Sequence, residues 1–107
     1  MTDAERTMGQ RAAVVALGRL LTMQATRGLP PCTWTITPDG ALTAHCPGLP
    51  ASSREQDFRA WMEALGYPGS LQREVPSPGL LRLRAAWGSW HGVALTLIAD
   101  VTEGERP

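Results

Sequence analysis

The chain has 107 residues, 43% hydrophobic and 19% charged, which suits one folded domain around a single core and excludes a disordered segment. Ten arginines and no lysine balance ten acids, so the formal net charge is zero and no overall field holds nucleic acid. No run is apolar and long enough to span a bilayer, and Met1-Thr2-Asp3-Ala4-Glu5 lacks the basic start of a secretory signal, so the expected location is the cytoplasm.

Residues 2–27 read as a long helix. Thr2 and Glu5 match a capping box, and Gly28 followed by Pro30-Pro31 is a stop. Val14, Leu17, Leu20, Leu21 and Gln24 form a helical stripe with Ala13 beside it. Gly9 and Gly18 weaken the helix by about 1 kcal/mol each relative to alanine. Met8, Val15 and Met23 form a second apolar line, which suits either a broad core face under a sheet or a homodimer contact.

Residues 32–46 read as a β-hairpin. Pro38-Asp39-Gly40 is a three-residue loop with glycine last, the signature of a type I turn closed by a bulge. That loop sets Ile36 opposite Leu42, Trp34 opposite Ala44 and Cys32 opposite Cys46. One face is then apolar (Cys32, Trp34, Ile36, Leu42, Ala44, Cys46), and the other, nearly all polar, carries Thr33, Thr35, Thr37, Ala41, Thr43 and His45. A one-residue slip would mix the two sets. Cys32 and Cys46 become cross-strand neighbours, open to a strained disulfide but expected as reduced thiols in a reducing compartment. A metal clip is disfavoured, because His45 points away from Cys46 and His91 has no second ligand at metal-site spacing.

After a Pro47-Gly48-Leu49-Pro50 loop, residues 53–65 read as a second helix. Ser52 and Glu55 suggest a cap, and Phe58, Trp61, Met62 and Leu65 form one face. Gly66 and Pro68 end it. Residues 71–101 read as a three-stranded meander: a weakly patterned strand over 71–75, a turn over 76–79, then two strands alternating through Leu81, Leu83, Ala85 and Trp87 and through Val93, Leu95, Leu97, Ala99 and Val101. Trp90-His91-Gly92 predicts a second three-residue loop, pairing Ser89 with Val93, Trp87 with Leu95, Ala85 with Leu97 and Leu83 with Ala99. Residues 102–107 read as a loose tail. The order α-β-β-α-β-β-β predicts an α+β two-layer sandwich, two helices on one face of a mostly antiparallel sheet, with helix two a crossover if its flanking strands are parallel.

Chemistry is sparse. Trp90 with His91 at the loop tip reads either as an aromatic folded back over the sheet or as an exposed anchor for a partner. Arg82 and Arg84 share the polar sheet face and could meet phosphates, although Asp100 and Glu74 could neutralise them. No nucleophile elbow, Walker loop, paired helical histidines or dinucleotide fingerprint is present. Ser89 near His91 lacks an orienting acid, and Cys46 and His45 point to opposite faces. The expectation is no enzyme, no cofactor and no metal site.

Lysine and asparagine, both absent, use A-rich codons, which points to a GC-rich genome. Through "GLPPCTWTITPDGALTAHC", "FRAWMEALG" and "WHGVALTLIADV" the chain resembles small uncharacterised α+β proteins of high-GC actinobacteria, several of them encoded on mobile elements. That resemblance implies no activity and carries over no residues. The expected function is therefore a cytoplasmic protein-interaction or regulatory module binding a partner protein or itself. The alternatives are an accessory nucleic-acid-binding protein of a mobile element and a small-ligand-binding domain between helices and sheet.

Overall fold

Local signals at the first helix do what their chemistry requires. The Thr2 hydroxyl accepts the Glu5 N–H at 3.1 Å and donates to the Glu5 carboxylate, and helix α1 runs Asp3–Arg27. Gly28 ends it at φ 64, with its N–H on the Gln24 carbonyl. The structure, a computed structural model, describes residues 1–48 and 51–102.

The first hairpin has the predicted register. Strands β1 (Thr33–Ile36) and β2 (Leu42–His45) pair Thr33 with His45 and Ile36 with Leu42. The loop is closed by Thr37 N–H to Ala41 O at 2.9 Å and Gly40 N–H to Thr37 O at 3.0 Å, with Gly40 at φ 88. Leu42, Ala44 and Cys46 are buried, whereas Thr33, Thr35 and His45 are exposed.

Helix α2 spans Ala51–Leu65, starting two residues before the expected position, so Ser52 lies inside the helix and not at its cap. The Ser52 side chain, Leu49, Pro50 and residues 103–107 of the expected 102–107 tail lie outside the described residues, and Thr102, the first residue of that tail, instead ends the last strand opposite Leu80. Gly66 closes α2 at φ 91, its N–H on the Met62 carbonyl at 2.9 Å. Arg54 ties the start of α2 to the sheet, donating to Gly48 O at 2.9 Å and to Asp100 O at 3.0 Å.

Strand β3 (Ser70–Ser77) is longer than expected, and its turn tightens to Pro78-Gly79 with Gly79 at φ 82. Pro76 is tolerated inside the strand because β3 is an edge, where a missing N–H breaks no ladder. Strands β4 (Leu80–Trp90) and β5 (Val93–Thr102) pair Trp87 with Leu95, Ala85 with Leu97 and Leu83 with Ala99, as read from the sequence. The turn differs. Trp90 pairs with Val93, leaving only His91-Gly92 in the loop, and the extra residue is taken up as an irregularity between Trp87 and Trp90. His91 at φ 50 and Gly92 at φ 81 are both left-handed, which is the type I′ geometry matched to strand twist.

The five strands form one sheet in the order β1-β2-β5-β4-β3, antiparallel except for the β2–β5 pair. β3 therefore runs in the same direction as β2, and α2 links parallel strands. Both helices cover the same face: Ala13, Ala16 and Leu20 of α1 and Phe58 and Trp61 of α2 join one core with the alternating apolar residues of β2, β4 and β5. Trp61 is fully buried. Its indole N–H donates to Pro30 O at 2.8 Å, and its ring meets Trp34 edge-on with centroids 5.5 Å apart.

The predicted stripe on α1 is corrected. Its buried residues are Ala13, Ala16 and Leu20, with Leu17 and Met23 packed at the margin, while Val14 and Leu21 are exposed at 58% and 44%. The cause is a close seat on the hairpin turn. A Cβ on Gly40 would lie 2.5 Å from the Gly9 carbonyl oxygen, and one on Gly9 would lie 3.0 Å from the Asp39 carbonyl oxygen. Gly40→Ala adds that overlap to the strain of φ 88 and is expected to cost about 2–4 kcal/mol in urea denaturation. Gly79→Ala, also at positive φ but with open space around it, should cost only about 1–2 kcal/mol. Equal losses would show that the helix–turn seat contributes nothing.

Candidate protein-interaction surface

The helix layer is narrower than the sheet. Helix α2 rests mainly on β5, so the helix-facing side of β3 projects past it. Along β3, Leu71 pairs with Ala85 and Arg73 with Leu83, which fixes Leu71 and Arg73 on that side. Leu71 and Val75 are 56% and 62% exposed.

Between this ledge and α2 lies a groove of about 250 Å³. Glu55, Phe58, Arg59 and Met62 line it from the helix, Leu71 and Arg73 from β3, and Leu83 forms its floor. Arg59 is tied to Glu55 at 3.4 Å, whereas Arg73 makes no ion pair among the described residues. Met62 continues the surface into a second hollow of about 330 Å³ at the end of α2, bounded by Glu63, Gly66, Tyr67 and Pro68. Tyr67 is 98% exposed, so this hollow is an open surface and not an enclosed ligand cavity. The outer edge of β3 has no strand beside it among the described residues.

The residues singled out in the sequence occupy other places. Trp90, opposite Val93 after the strand irregularity, is half-buried and packs against the core, with its ring 4.3 Å from the exposed His91 ring. Arg82 and Arg84 do share the outer sheet face, but each has a carboxylate. Arg82 donates to Asp100 at 2.7 and 3.2 Å, and Arg84 lies 3.3 Å from Glu74 as an ion pair without hydrogen-bond geometry. Phosphates would have to displace both acids. Met8 and Val15 are exposed, whereas Met23 belongs to the core margin, so the three do not form one surface.

Cys32 and Cys46 are free thiols at the end of the first hairpin. A hydrogen bond with Cys32, then burial, then the nearby charges of Cys32 and Asp57 push the Cys46 thiol well above its ordinary range. A buried thiol held protonated is a poor nucleophile and metal ligand. Among the described residues no group of three histidine, cysteine or acidic side chains could hold a metal ion, and no helix is long and apolar enough to cross a membrane.

The groove was not singled out in the sequence. Its signal was present in the weak pattern of residues 71–75: an arginine among the helix-facing positions of a strand marks a strand that runs beyond the core.

Two measurements follow from these side chains. The Asp100 carboxyl is held below its ordinary range, first by the Arg82 hydrogen bond and then by the charges of Arg82, His45 and Arg54 acting against burial. A depressed carboxylate stabilises the fold above its unfolded value near pH 4, and that stabilisation is lost as pH falls through the native value. Arg82→Met should therefore cost about 1 kcal/mol at pH 7, with the gap to wild type closing in acid; a gap independent of pH would contradict the assignment. A thiol assay should count two thiols after denaturation and, in the native protein, modify the partly exposed Cys32 well before the buried Cys46. Compared with protein-family models, with curated proteins and with solved structures, the chain matches none.

Proposed function

We propose that this protein is a small, non-enzymatic interaction module of the cytoplasm that holds an extended segment of a partner protein along β3, beside α2. The observation that carries this reading is the uncovered ledge. Leu71 stays exposed where it lines an apolar groove beside an unpaired strand edge, and Val75 is exposed further along the same strand. Large apolar side chains left outside the core in one patch mark an interaction site more often than scattered ones do.

The chemistry of the occupant follows from the geometry. An added strand would gain main-chain hydrogen bonds from the β3 edge and present every second side chain to the helix side. Those side chains would lie beside Leu71, Phe58 and Met62, and an acidic one would meet Arg73. Pro76 and the register irregularity between Glu74 and Ser77 confine pairing to the first part of β3, so the recognised segment is short. Its contact is smaller than a standard interface, which fits an affinity on the order of micromolar. The two thiols, free at the far end of the sheet, support a reducing compartment.

The test is a short-peptide display library panned on the purified protein. Enriched sequences should alternate large apolar residues and carry an acid. Amide shifts on binding should concentrate on residues 70–75 and the facing side of α2. Leu71→Asp and Arg73→Glu should each weaken binding about tenfold or more, equivalent to about 1.4 kcal/mol. Enriched peptides without alternation, or shifts confined to another surface, would remove the groove from the function.

A further inference from the structure

The open end of the first hairpin carries the chain's two cysteines, both free thiols. Their placement follows from the ladder. The Thr37 N–H bonds Ala41 O, so Thr37 and Ala41 are a hydrogen-bonded pair, and such pairs recur at Thr35 with Thr43 and at Thr33 with His45. Cys32 and Cys46 come next, one residue beyond the paired strands, where the two chains exchange no bond. The Cys46 N–H agrees with this: it turns away from β1 and donates to Ile98 O of β5 at 2.9 Å. Side chains at a position of this kind stand closest, with Cα atoms about 4.5 Å apart. Both cysteines face the helices, Cys46 within the core and Cys32 packed against it, and their thiols are hydrogen-bonded to each other.

We propose that Cys32 and Cys46 are a redox couple, two thiols in a reduced glutathione pool and one intramolecular disulfide when that pool is oxidised. A Cα separation of about 4.5 Å lies at the short limit for a disulfide, so the bond closes without rearranging the hairpin but under strain. Strained disulfides are the readily reduced ones, which suits a reversible couple and not a permanent staple.

The exchange balances with glutathione disulfide as the oxidant. The partly exposed Cys32 gives up its proton and attacks one sulfur of glutathione disulfide. One glutathione leaves and the other stays bonded to Cys32. The Cys46 sulfur, already in contact, then gives up its proton and attacks the Cys32 sulfur. The Cys32–Cys46 bond forms, the bond to glutathione breaks, and the second glutathione leaves. Two protein thiols are oxidised, one glutathione disulfide is reduced, and the two departing glutathiones take up the two protons. Burial of Cys46 keeps bulk oxidant from it, which fixes the order of the two steps. Capping Cys32 also prepares the second step. The hydrogen bond to Cys32 and the charge of Cys32 help to hold the Cys46 proton, and both are lost when glutathione occupies Cys32.

The bond would join two segments that each hold α2. Pro30 O accepts the Trp61 indole N–H at 2.8 Å, and Gly48 O accepts from Arg54 at 2.9 Å. A covalent link between residues 32 and 46 fastens these anchors to each other, so the oxidised protein is the more stable form. The couple lies apart from the β3 groove and does not rest on it.

The full chain, equilibrated with glutathione buffers of graded thiol-to-disulfide ratio, tests the couple. After acid quenching and alkylation, mass spectrometry should show two alkylated cysteines in excess glutathione. It should show a Cys32–Cys46 linked peptide in excess glutathione disulfide, and return to excess glutathione should restore both thiols. Oxidation should raise the melting temperature by roughly 5–10 °C. Cys46→Ala, which keeps the site apolar, should accumulate one glutathione on Cys32, because nothing then displaces it. The linked peptide, its reversal and the thermal shift are read on the wild type, so they stand even if the variant loses its fold. A wild type that never forms the linked peptide would overturn the proposal. So would a disulfide that persists in excess glutathione, an unchanged melting temperature, or a folded Cys46→Ala that takes up no glutathione.

Discussion

The seat of α1 on the first hairpin is the constraint on which the arrangement depends. Two glycines make it. Gly40 supplies the left-handed residue that closes the turn, and the absence of a side chain there lets the backbone of Gly9 come down onto it. The contact fixes how far α1 stands from the sheet and which side of the helix faces inward.

A helix seated so closely takes small residues on its inner side. Gly9, Ala13 and Ala16 lie along that side before Leu20 fills the wider space beyond. The larger Met8, Val14, Val15 and Leu21 are turned outward by the same rotation. The exposed apolar side of α1 is thus a consequence of its close approach.

On the other side of the molecule the dominant side chain is Trp61. Its burial against Trp34, with its N–H on the Pro30 carbonyl, holds α2 toward the hairpin half of the sheet. Arg54 adds two bonds, to the β2–α2 loop and to β5. With α2 held there, the helix layer ends before the sheet does, and β3 keeps Leu71 exposed in a groove. The groove beside β3 and the outward apolar side chains of α1 both arise from how two helices share one sheet face.

Much of this was written in local sequence. Strict alternation specified the hairpin registers from Thr33 to His45 and from Leu83 to Ala99, and the glycine-ended turn was right for the first hairpin, because a pleated strand tolerates no slip when one face is buried. Capping chemistry at Thr2, Gly28 and Gly66 marked three helix ends, and the order of elements pointed to the two-layer α+β fold. Tertiary structure decided the rest. α1 carries apolar residues on all sides, so its periodicity could not say which side faces inward; the Gly9–Gly40 contact did. The second hairpin could close with three residues in its loop or with two and an irregularity, and strand twist selected the tighter turn, which moved Trp90 onto the core side. Arg82 and Arg84 looked available until strand order set Asp100 and Glu74 beside them. Periodicity reports what an element can bury, and only packing of the elements against one another decides what it does bury.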